Sequence, residues 1–497
     1  MAIAWRMPMS DWPSPERRAV CAAALGLFGT FLVTATQSTV VYPVQQTFAA
    51  GPEGELLLRQ LPDLAGLVAV PLIGAIGARV SSARMAAIAA ACIGAGASLL
   101  SLAPTMAVFV LGMVLGSVGR MIISVVAFAV VGAGVAHEGR RATAFALLGA
   151  AGPAAFILAP IAASLLVMAG GWRAVGVIWC LSAITVAIAA RWLRVKPGAT
   201  HAERREPWTP ILAGIVLVSV MQAVGAVFMR GVTDSITLSW IGAAVLSAAA
   251  VRVLLRRLRH PSLDLRTLRV PGLLPALGVL ILSQCGDLWT YAAAITMRVD
   301  GLTPIEAAMV LLPPQFASLA GAAVAAWLNR RVGPRAGGTL MLALLAGSLF
   351  ASCIETIELP MWVLVAITCV YAIGESGSGV CVTQAVLSTA PSGLERQVSS
   401  YRSVASAVGN GLATLVITGS VVFAMGESMR TAAEQHGLAA PRVKQLVEAV
   451  RSNVTNLDIA QQMHLSPARL QELREVRRQV MVHGFRAHGV VSGAVID

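Results

Sequence analysis

The amino-acid sequence predicts an all-α polytopic membrane protein. Of its 497 residues, 57% are hydrophobic and only 12% are charged, and the mean hydropathy is +0.76. Soluble domains carry about 25% charged residues, so this chain lacks the polar surface that a water-facing globule requires. The apolar residues also occur in long blocks, many of about 20 residues or more, which is the length a helix needs to cross about 30 Å of hydrocarbon.

Thirteen apolar segments are long enough to be transmembrane spans. They lie at roughly 19–48, 57–79, 84–103, 105–134, 142–169, 173–193, 210–229, 237–256, 272–297, 303–328, 337–355, 361–388 and 400–425. The segment from Gly489 to Asp497 is too short to cross a bilayer, so we expect a fourteenth helix to be incomplete. Two polar segments, 194–209 and 426–486, interrupt this pattern, and we expect the second to lie outside the membrane.

The distribution of lysine and arginine predicts the orientation of the spans. With a cytoplasmic N-terminus, the inside segments contain 23 Lys and Arg residues and the short outside segments contain four. Cytoplasmic loops of membrane proteins carry this excess of positive charge, so we expect multi-pass insertion in a bacterial inner membrane. The net charge of +13 then reflects topology and not nucleic-acid binding.

The predicted topology places residues 426–486 on the outer side. A single cysteine introduced by Ser452→Cys in a cysteine-free background should react with a membrane-impermeant thiol reagent on intact cells. The measurement is labelling before and after the cells are opened, because only an outer cysteine reacts in both cases. If the cysteine is labelled only after the cells are opened, the predicted orientation is wrong.

No motif in the sequence indicates an enzyme, a cofactor or a metal site. The seven cysteines form no CxxC pair and no cluster with histidine, and there is no P-loop, H-E-x-x-H motif or catalytic triad. Residues 458–470 are similar to a helix-turn-helix, which keeps DNA binding as a minor alternative. Because this segment is predicted to lie outside the cell, we expect no nucleic-acid partner.

Several short motifs lie at the ends of the predicted spans. Two loop motifs follow the second and tenth spans, from Gly74 to Arg79 and from Leu328 to Arg335, the latter including Arg331 and Gly333. Three further motifs are His260 to Leu265, Gly301 to Pro313, and Trp172-Arg173. Together they resemble the motifs of the major facilitator superfamily, specifically its fourteen-helix drug:proton antiporter branch. The resemblance implies two six-helix bundles with two inserted helices and an incomplete last helix. The implied boundaries are 1–198, 199–259 and 260–497, with a central cavity and alternating access.

Other positions depart from the motifs of that branch. The acidic residue of the loop motif is replaced by Ala78 in the first copy and by Arg330 in the second. The first-helix acid is replaced by Thr34, and the arginine early in the fourth helix by Gly112. If the protein is an antiporter, its proton must therefore be carried by a different carboxylate.

Ionisable side chains within the spans are the main candidates for that role. A charge at the bilayer centre costs at least about 2.5–3.5 kcal/mol, so such a group usually faces a cavity or a partner. Asp287 and Glu375 lie mid-span and are the predicted proton-coupling residues, with Arg120 as their charge partner or gate. A static ion pair between helices is the alternative. For Asp63, a structural salt bridge with Arg59 at i,i+4 spacing is the expected role.

A weaker pattern indicates a cavity for an amphipathic ligand. Amide and aromatic side chains that suit such a cavity occur within the spans, and each is also compatible with plain packing. They are Gln37, Tyr42, Gln222, Gln284, Tyr291 and Tyr371. Pro153 and Pro160 stand seven residues apart on one face of the fifth helix, where they suit either bending during transport or packing.

The function predicted from these observations is secondary active export of a lipophilic or amphipathic small molecule, coupled to protons. We expect a monomer in the lipid bilayer, with the substrate and protons as its partners. Two alternatives stay open at this point. One is a dedicated exporter of one metabolite or lipid-like product, and the other is a membrane sensor or scaffold that does not transport.

Overall fold

The structure is a computed structural model. It describes residues 12–48, 52–77, 80–135, 137–193, 207–258, 265–284, 304–352, 360–391 and 394–413, together with isolated residues between 286 and 302. The predictions for the incomplete last helix, for segment 426–486 and for the 458–470 motif therefore lie outside the described residues.

The described residues form fourteen α-helices, and no strand occurs among them. The first eight are α1 (Ser14–Thr47), α2 (Pro52–Gly77), α3 (Ser82–Leu102), α4 (Met106–Gly134), α5 (Glu138–Gly170), α6 (Gly176–Trp192), α7 (Trp208–Arg230) and α8 (Ser235–Arg257). The others are α9 (Leu273–Ser283), α10 (Pro304–Val310), α11 (Leu312–Arg331), α12 (Gly333–Ala351), α13 (Met361–Ser388) and α14 (395–413). The predicted all-α fold is confirmed.

Ten of these helical segments are long and apolar enough to cross a membrane, judged over the described residues. Two shorter apolar helices, Leu61–Ala75 and Leu273–Ser283, lie where the sequence predicts the second and ninth spans. The tenth predicted span consists of two consecutive helices, α10 and α11, which the turn residue Leu311 separates. The protein is therefore a multi-pass membrane protein.

Polar side chains define where several helices begin. The Ser81 and Thr105 hydroxyls accept hydrogen bonds from the backbone N–H groups of Arg84 and Val108, and the Asp234 carboxylate accepts from that of Ile236. These caps satisfy backbone donors that have no partner within the helix. The short turns before these three helices therefore contain ordinary helix start signals.

The helices pack into two groups joined by an inserted pair. In the first group, α3 lies between α4 and α6, and α1 packs against α4, α5 and α6. In the second group, α13 contacts α9, α11 and α12. The inserted helices α7 and α8 pack against each other, and α7 also lies along α2. This is the arrangement expected of two bundles with two inserted helices.

Small residues allow the closest of these approaches. A Cβ atom added at Gly112 of α4 would lie 2.9 Å from the backbone oxygen of Gly96 in α3. A Cβ atom added at Gly214 of α7 would lie 2.6 Å from the Cα atom of Val68 in α2. Such contacts bring helix backbones together in membranes, where van der Waals packing replaces the hydrophobic effect as the driving force. Close packing is thus the physical reason for glycine at position 112.

Candidate transport pathway

A carboxylate lies midway along a long apolar helix of the second bundle. Glu375 stands 14 residues into the 28-residue helix α13, about 21 Å along its axis at 1.5 Å per residue. Its Oε2 atom accepts a hydrogen bond of 2.7 Å from the indole Nε1–H of Trp289. A hydrogen bond to an ionised acceptor is stronger than one between neutral groups. The indole therefore stabilises the charged form of this carboxylate.

The aromatic surroundings of Glu375 are held in place by Tyr371, one turn earlier in α13. The Tyr371 side chain is fully buried, and its hydroxyl donates a hydrogen bond of 2.6 Å to the carbonyl oxygen of Gly286. Its ring meets the Trp289 ring edge to face, with the centroids 6.4 Å apart. In this conformation Tyr371, predicted as a cavity residue, fixes the backbone next to Trp289. The sequence interpretation did not select Trp289, although an indole two residues after Asp287 in an apolar span is a usable signal.

For several of the predicted site residues, the structure does not describe the side chain or the whole residue. Asp287 and Tyr291 fall outside the described residues, and so does Arg79. Arg59 and Tyr42 lie in described helices, but their side chains are not described. The roles predicted for these five residues remain predictions.

The first bundle contains an ion pair at a comparable depth. The Nη2 atom of Arg120 in α4 lies 2.5 Å from the Oδ1 atom of Asp63 in α2, and it also donates to the Ser117 hydroxyl. The Arg120 side chain is 18% exposed and that of Asp63 is 61% exposed. Asp63 thus has a partner 57 positions away in the chain, and the pairing with Arg59 predicted from the sequence stays a prediction. Arg120 neutralises the charge of Asp63. The hydrogen bond to Ser117 positions the Arg120 guanidinium beside α4.

The amides predicted to line a cavity lie on different helices. Gln37 in α1 and Gln222 in α7 are half-buried, and Gln284 follows the last residue of α9. The Cβ atom of Gln284 packs against α14, at a point where a Cβ atom on Gly409 would approach within 2.6 Å. Gln284 therefore lies at a helix contact in this conformation.

Two glycines of the loop motifs lie where a larger residue would be unfavourable. Gly74 lies in α2, where an added Cβ atom would come within 2.6 Å of the Ser400 side chain in α14. Gly333 has a φ of +84° at the junction of α11 and α12, a conformation that other residues adopt only with strain. The exposed Arg331 places its guanidinium 5.6 Å from the centre of the Trp327 ring. Gly74 and Gly333 are thus explained by space and by backbone conformation respectively.

The two prolines of α5 do not interrupt that helix. Pro153 and Pro160 are both half-buried within the continuous helix Glu138–Gly170. Around them, α5 packs against α10, α11 and α13 of the second bundle. A Cβ atom at Gly149 would lie 2.7 Å from Val380 of α13. The proline-containing helix is therefore one of the main contacts between the bundles.

Hydrogen bonds join the bundles at the end where α2 finishes and α14 begins. The Arg396 guanidinium donates to the Val80 carbonyl and the Ser82 hydroxyl, both at 2.7 Å. The hydroxyls of Ser400 and Ser399 donate to backbone carbonyls of α2 and α4, at 3.0 and 2.8 Å. We call these contacts, together with the approach of Ser124 and Ser403 at 3.4 Å, the seam. The seam joins the two bundles at this end, which the predicted topology assigns to the cytoplasm.

The Arg396 side chain of the seam is half-buried. Burial lowers the pKa of Arg396, and the neighbouring Glu395 carboxylate acts in the opposite direction. Because the ordinary pKa of arginine exceeds 12, this group stays charged at neutral pH. The seam therefore contains a permanent positive charge that is satisfied by neutral oxygen atoms.

One further charged residue lies within the interface, and the sequence interpretation counted it with the inside loops. Arg402 stands seven residues into α14, and its guanidinium carbon lies 3.8 Å from the centre of the Phe128 ring of α4. Its Nε–H donates to the Thr383 hydroxyl of α13 at 3.2 Å. An arginine at the edge of an apolar segment is usually a loop charge. The aromatic ring that packs on the Arg402 guanidinium belongs to Phe128, 274 positions earlier in the chain. No local sequence pattern could indicate this contact.

Comparison with known proteins agrees with this architecture. Residues 23–414 match the Major Facilitator Superfamily, and the chain belongs to that family. It is similar to the human organic anion transporter MFSD10 (TETRAN), with 12% identity, a TM-score of 0.59, and coverage of 98% of this chain and 100% of that one. It is also similar to the E. coli proton:xylose symporter XylE, with 13% identity, a TM-score of 0.58, and coverage of 97% and 95%.

A third similar structure is a bacterial homologue of the iron transporter ferroportin in an outward-facing state, with 11% identity and a TM-score of 0.56. That match covers 97% of this chain and 98% of the homologue. At these identities the likeness concerns the fold alone. No curated protein sequence is significantly similar to this chain. The protein is therefore a member of the major facilitator superfamily with its transporter fold, and the fold does not define a substrate.

Proposed function

We propose that this protein is a proton-coupled exporter of a lipophilic or amphipathic small molecule and works by alternating access. The observation that carries the proposal is the Glu375 carboxylate, which lies midway along α13 and accepts a hydrogen bond of 2.7 Å from the indole N–H of Trp289. A carboxylate in the bilayer interior is costly unless it has a partner or a task. Binding a proton removes its charge and weakens the bond to Trp289, so protonation acts directly on the packing of α13.

The closed seam supports the alternating-access part of the proposal. In this conformation the bundles touch through Arg396, Ser399 and Ser400 at one end. Opening that end requires these hydrogen bonds to break together. A proton that alters α13 can favour one state over the other, because α13 contacts both α5 and the Arg402 side chain. Similar structures include transporters of organic anions, xylose and iron, so the substrate must be defined by the cavity of this chain.

Transport by inside-out membrane vesicles tests this proposal. With an acidic lumen, vesicles that contain the protein should accumulate a lipophilic dye, and the ionophore nigericin should release it by collapsing the pH gradient. Vesicles without the protein are the control. Dye accumulation that is equal with and without the pH gradient would refute proton coupling. Equal behaviour of both vesicle types for every dye would favour a protein that does not transport.

The susceptibility profile of a strain with and without the intact gene separates the remaining alternatives. Broad hypersensitivity of the strain without the gene is expected for a multidrug exporter. A change confined to one compound would instead identify a dedicated exporter. This comparison requires no knowledge of the substrate in advance.

A further inference from the structure

Arg402 is a half-buried cation for which the described residues contain no carboxylate within salt-bridge distance. Its two partners are the Phe128 ring and the Thr383 hydroxyl, and both of those side chains are buried. Buried cations in proteins are normally paired with an anion, because taking an unpaired charge out of water is costly. A cation–π contact and one neutral acceptor compensate for only part of that cost.

The partners of Arg402 belong to different bundles. Phe128 lies six residues before the end of α4, Thr383 lies five residues before the end of α13, and Arg402 lies seven residues after the start of α14. At 1.5 Å per residue, all three lie about 8–10 Å inside the same end of the protein. Phe128 is on the first bundle, whereas Thr383 and Arg402 are on the second. Opening this end therefore removes the ring from the guanidinium and leaves the Thr383 contact in place.

The same helix turn carries hydroxyls that opening would also release. Ser399 donates to the Val125 carbonyl and Ser403 lies 3.4 Å from the Ser124 hydroxyl, and both contacts cross between the bundles. In the open state, Arg402, Ser399 and Ser403 would thus present one guanidinium and two hydroxyl donors from α14. Guanidinium binds carboxylate, sulfonate or phosphate groups through parallel N–H donors, and hydroxyls complete such a site.

We propose that Arg402 recognises the anionic group of the substrate when this end is open, so that the transported molecule is an amphipathic organic anion. The anion takes the place of the Phe128 ring on the guanidinium. When the end closes, the ring returns and displaces the anion toward the interior of the pathway. Arg402 therefore selects by charge at the entrance. The inference rests on the proposed function for its transport cycle and adds to it the charge of the substrate.

Binding to the purified full-length protein tests the inference without requiring transport. The probes are fluorescein as the anion and ethidium as the cation, each followed by fluorescence anisotropy. We expect saturable fluorescein binding by the parental protein, at least tenfold weaker binding by Arg402→Gln, and an intermediate affinity for Arg402→Lys. Phe128→Leu should bind fluorescein more tightly than the parental protein, because the competing ring is removed. A purely structural arginine would not produce that gain.

The matched control is Arg335→Gln, which removes an exposed positive charge from α12 and should bind fluorescein like the parental protein. Arg402→Glu should lose fluorescein binding and gain ethidium binding, provided that it elutes as a monodisperse protein. The inference is overturned if the parental protein shows no saturable fluorescein binding, or if Arg402→Gln binds it equally well.

The two proposals can fail separately. In one case, a pH gradient drives ethidium transport equally by the parental protein and by Arg402→Gln, while fluorescein does not bind. Proton-coupled export is then supported and the anion site is rejected. If fluorescein binds through Arg402 but no gradient drives any dye, proton-coupled export is rejected and the anion site stands.

Discussion

Proton-driven export is expected to be abolished by Glu375→Gln, with the protein still folded and inserted in the membrane. The amide keeps the size of the side chain and can still accept a hydrogen bond from Trp289, but it cannot bind and release a proton. Coupling would therefore be lost, while the packing of α13 is preserved. The measurement is dye accumulation in inside-out vesicles under an imposed pH gradient, normalised to the amount of protein in the membrane. Asp287→Asn is expected to have the same effect.

Matched variants separate coupling from damage to the fold. Asp234→Asn makes the corresponding change at the N-cap of α8, where asparagine caps as well as aspartate, and should transport at the parental rate. Trp289→Phe keeps a ring but removes the donor, so we expect a shifted pH dependence of transport without its loss. If Glu375→Gln, Asp287→Asn and the double variant all transport at the parental rate, neither carboxylate couples transport, and a uniporter or facilitator mechanism follows.

A large loss of stability is expected from Gly321→Ala in α11. A Cβ atom at this position would lie 2.5 Å from the carbonyl oxygen and 2.8 Å from the Cα atom of Ile373 in α13. Both are backbone atoms of a helix, so a side-chain rotation cannot relieve the clash and the two helices must separate. Overpacking of this kind typically costs about 1–3 kcal/mol. The thermal midpoint of the purified protein, measured by size-exclusion chromatography after heating, should fall clearly below that of the parental protein.

Gly347→Ala in α12 is the control, because a Cβ atom there would have no other heavy atom within 4 Å. Its thermal midpoint should equal or slightly exceed the parental value, since alanine has the higher helix propensity in a helix interior. Equal thermal midpoints for the parental protein and for Gly321→Ala would mean that α11 and α13 lie farther apart than they do in the structure.

The fold could be predicted from the sequence because its main determinant is local. The membrane requires about 20 apolar residues for each crossing, and that requirement is visible in any window of the chain. The predicted spans at 84–103, 105–134 and 361–388 agree with α3, α4 and α13 to within about two residues, which is the usual uncertainty of helix ends.

The arrangement of the candidate site could be predicted only in part. Mid-span charges such as Glu375 and Arg120 are conspicuous in an apolar segment, so the sequence identified them as functional candidates. Their partners are Trp289 and Asp63, at separations of 86 and 57 residues. Such pairings are decided by which faces of distant helices meet. A single sequence without homologues contains no signal for them.

The chemistry of the seam has a thermodynamic consequence for the transport cycle. Ser399 and Ser400 hold the bundles together through hydroxyl-to-carbonyl bonds, each worth about 0.5–1.5 kcal/mol net, because water replaces the bond when it breaks. Breaking these hydroxyl-to-carbonyl bonds exposes little apolar surface, so the bonds themselves contribute only a small heat-capacity change to opening. A small heat-capacity change makes the free-energy difference between the two conformations nearly linear in temperature, and a ligand shifts their populations only as far as its affinities for the two differ.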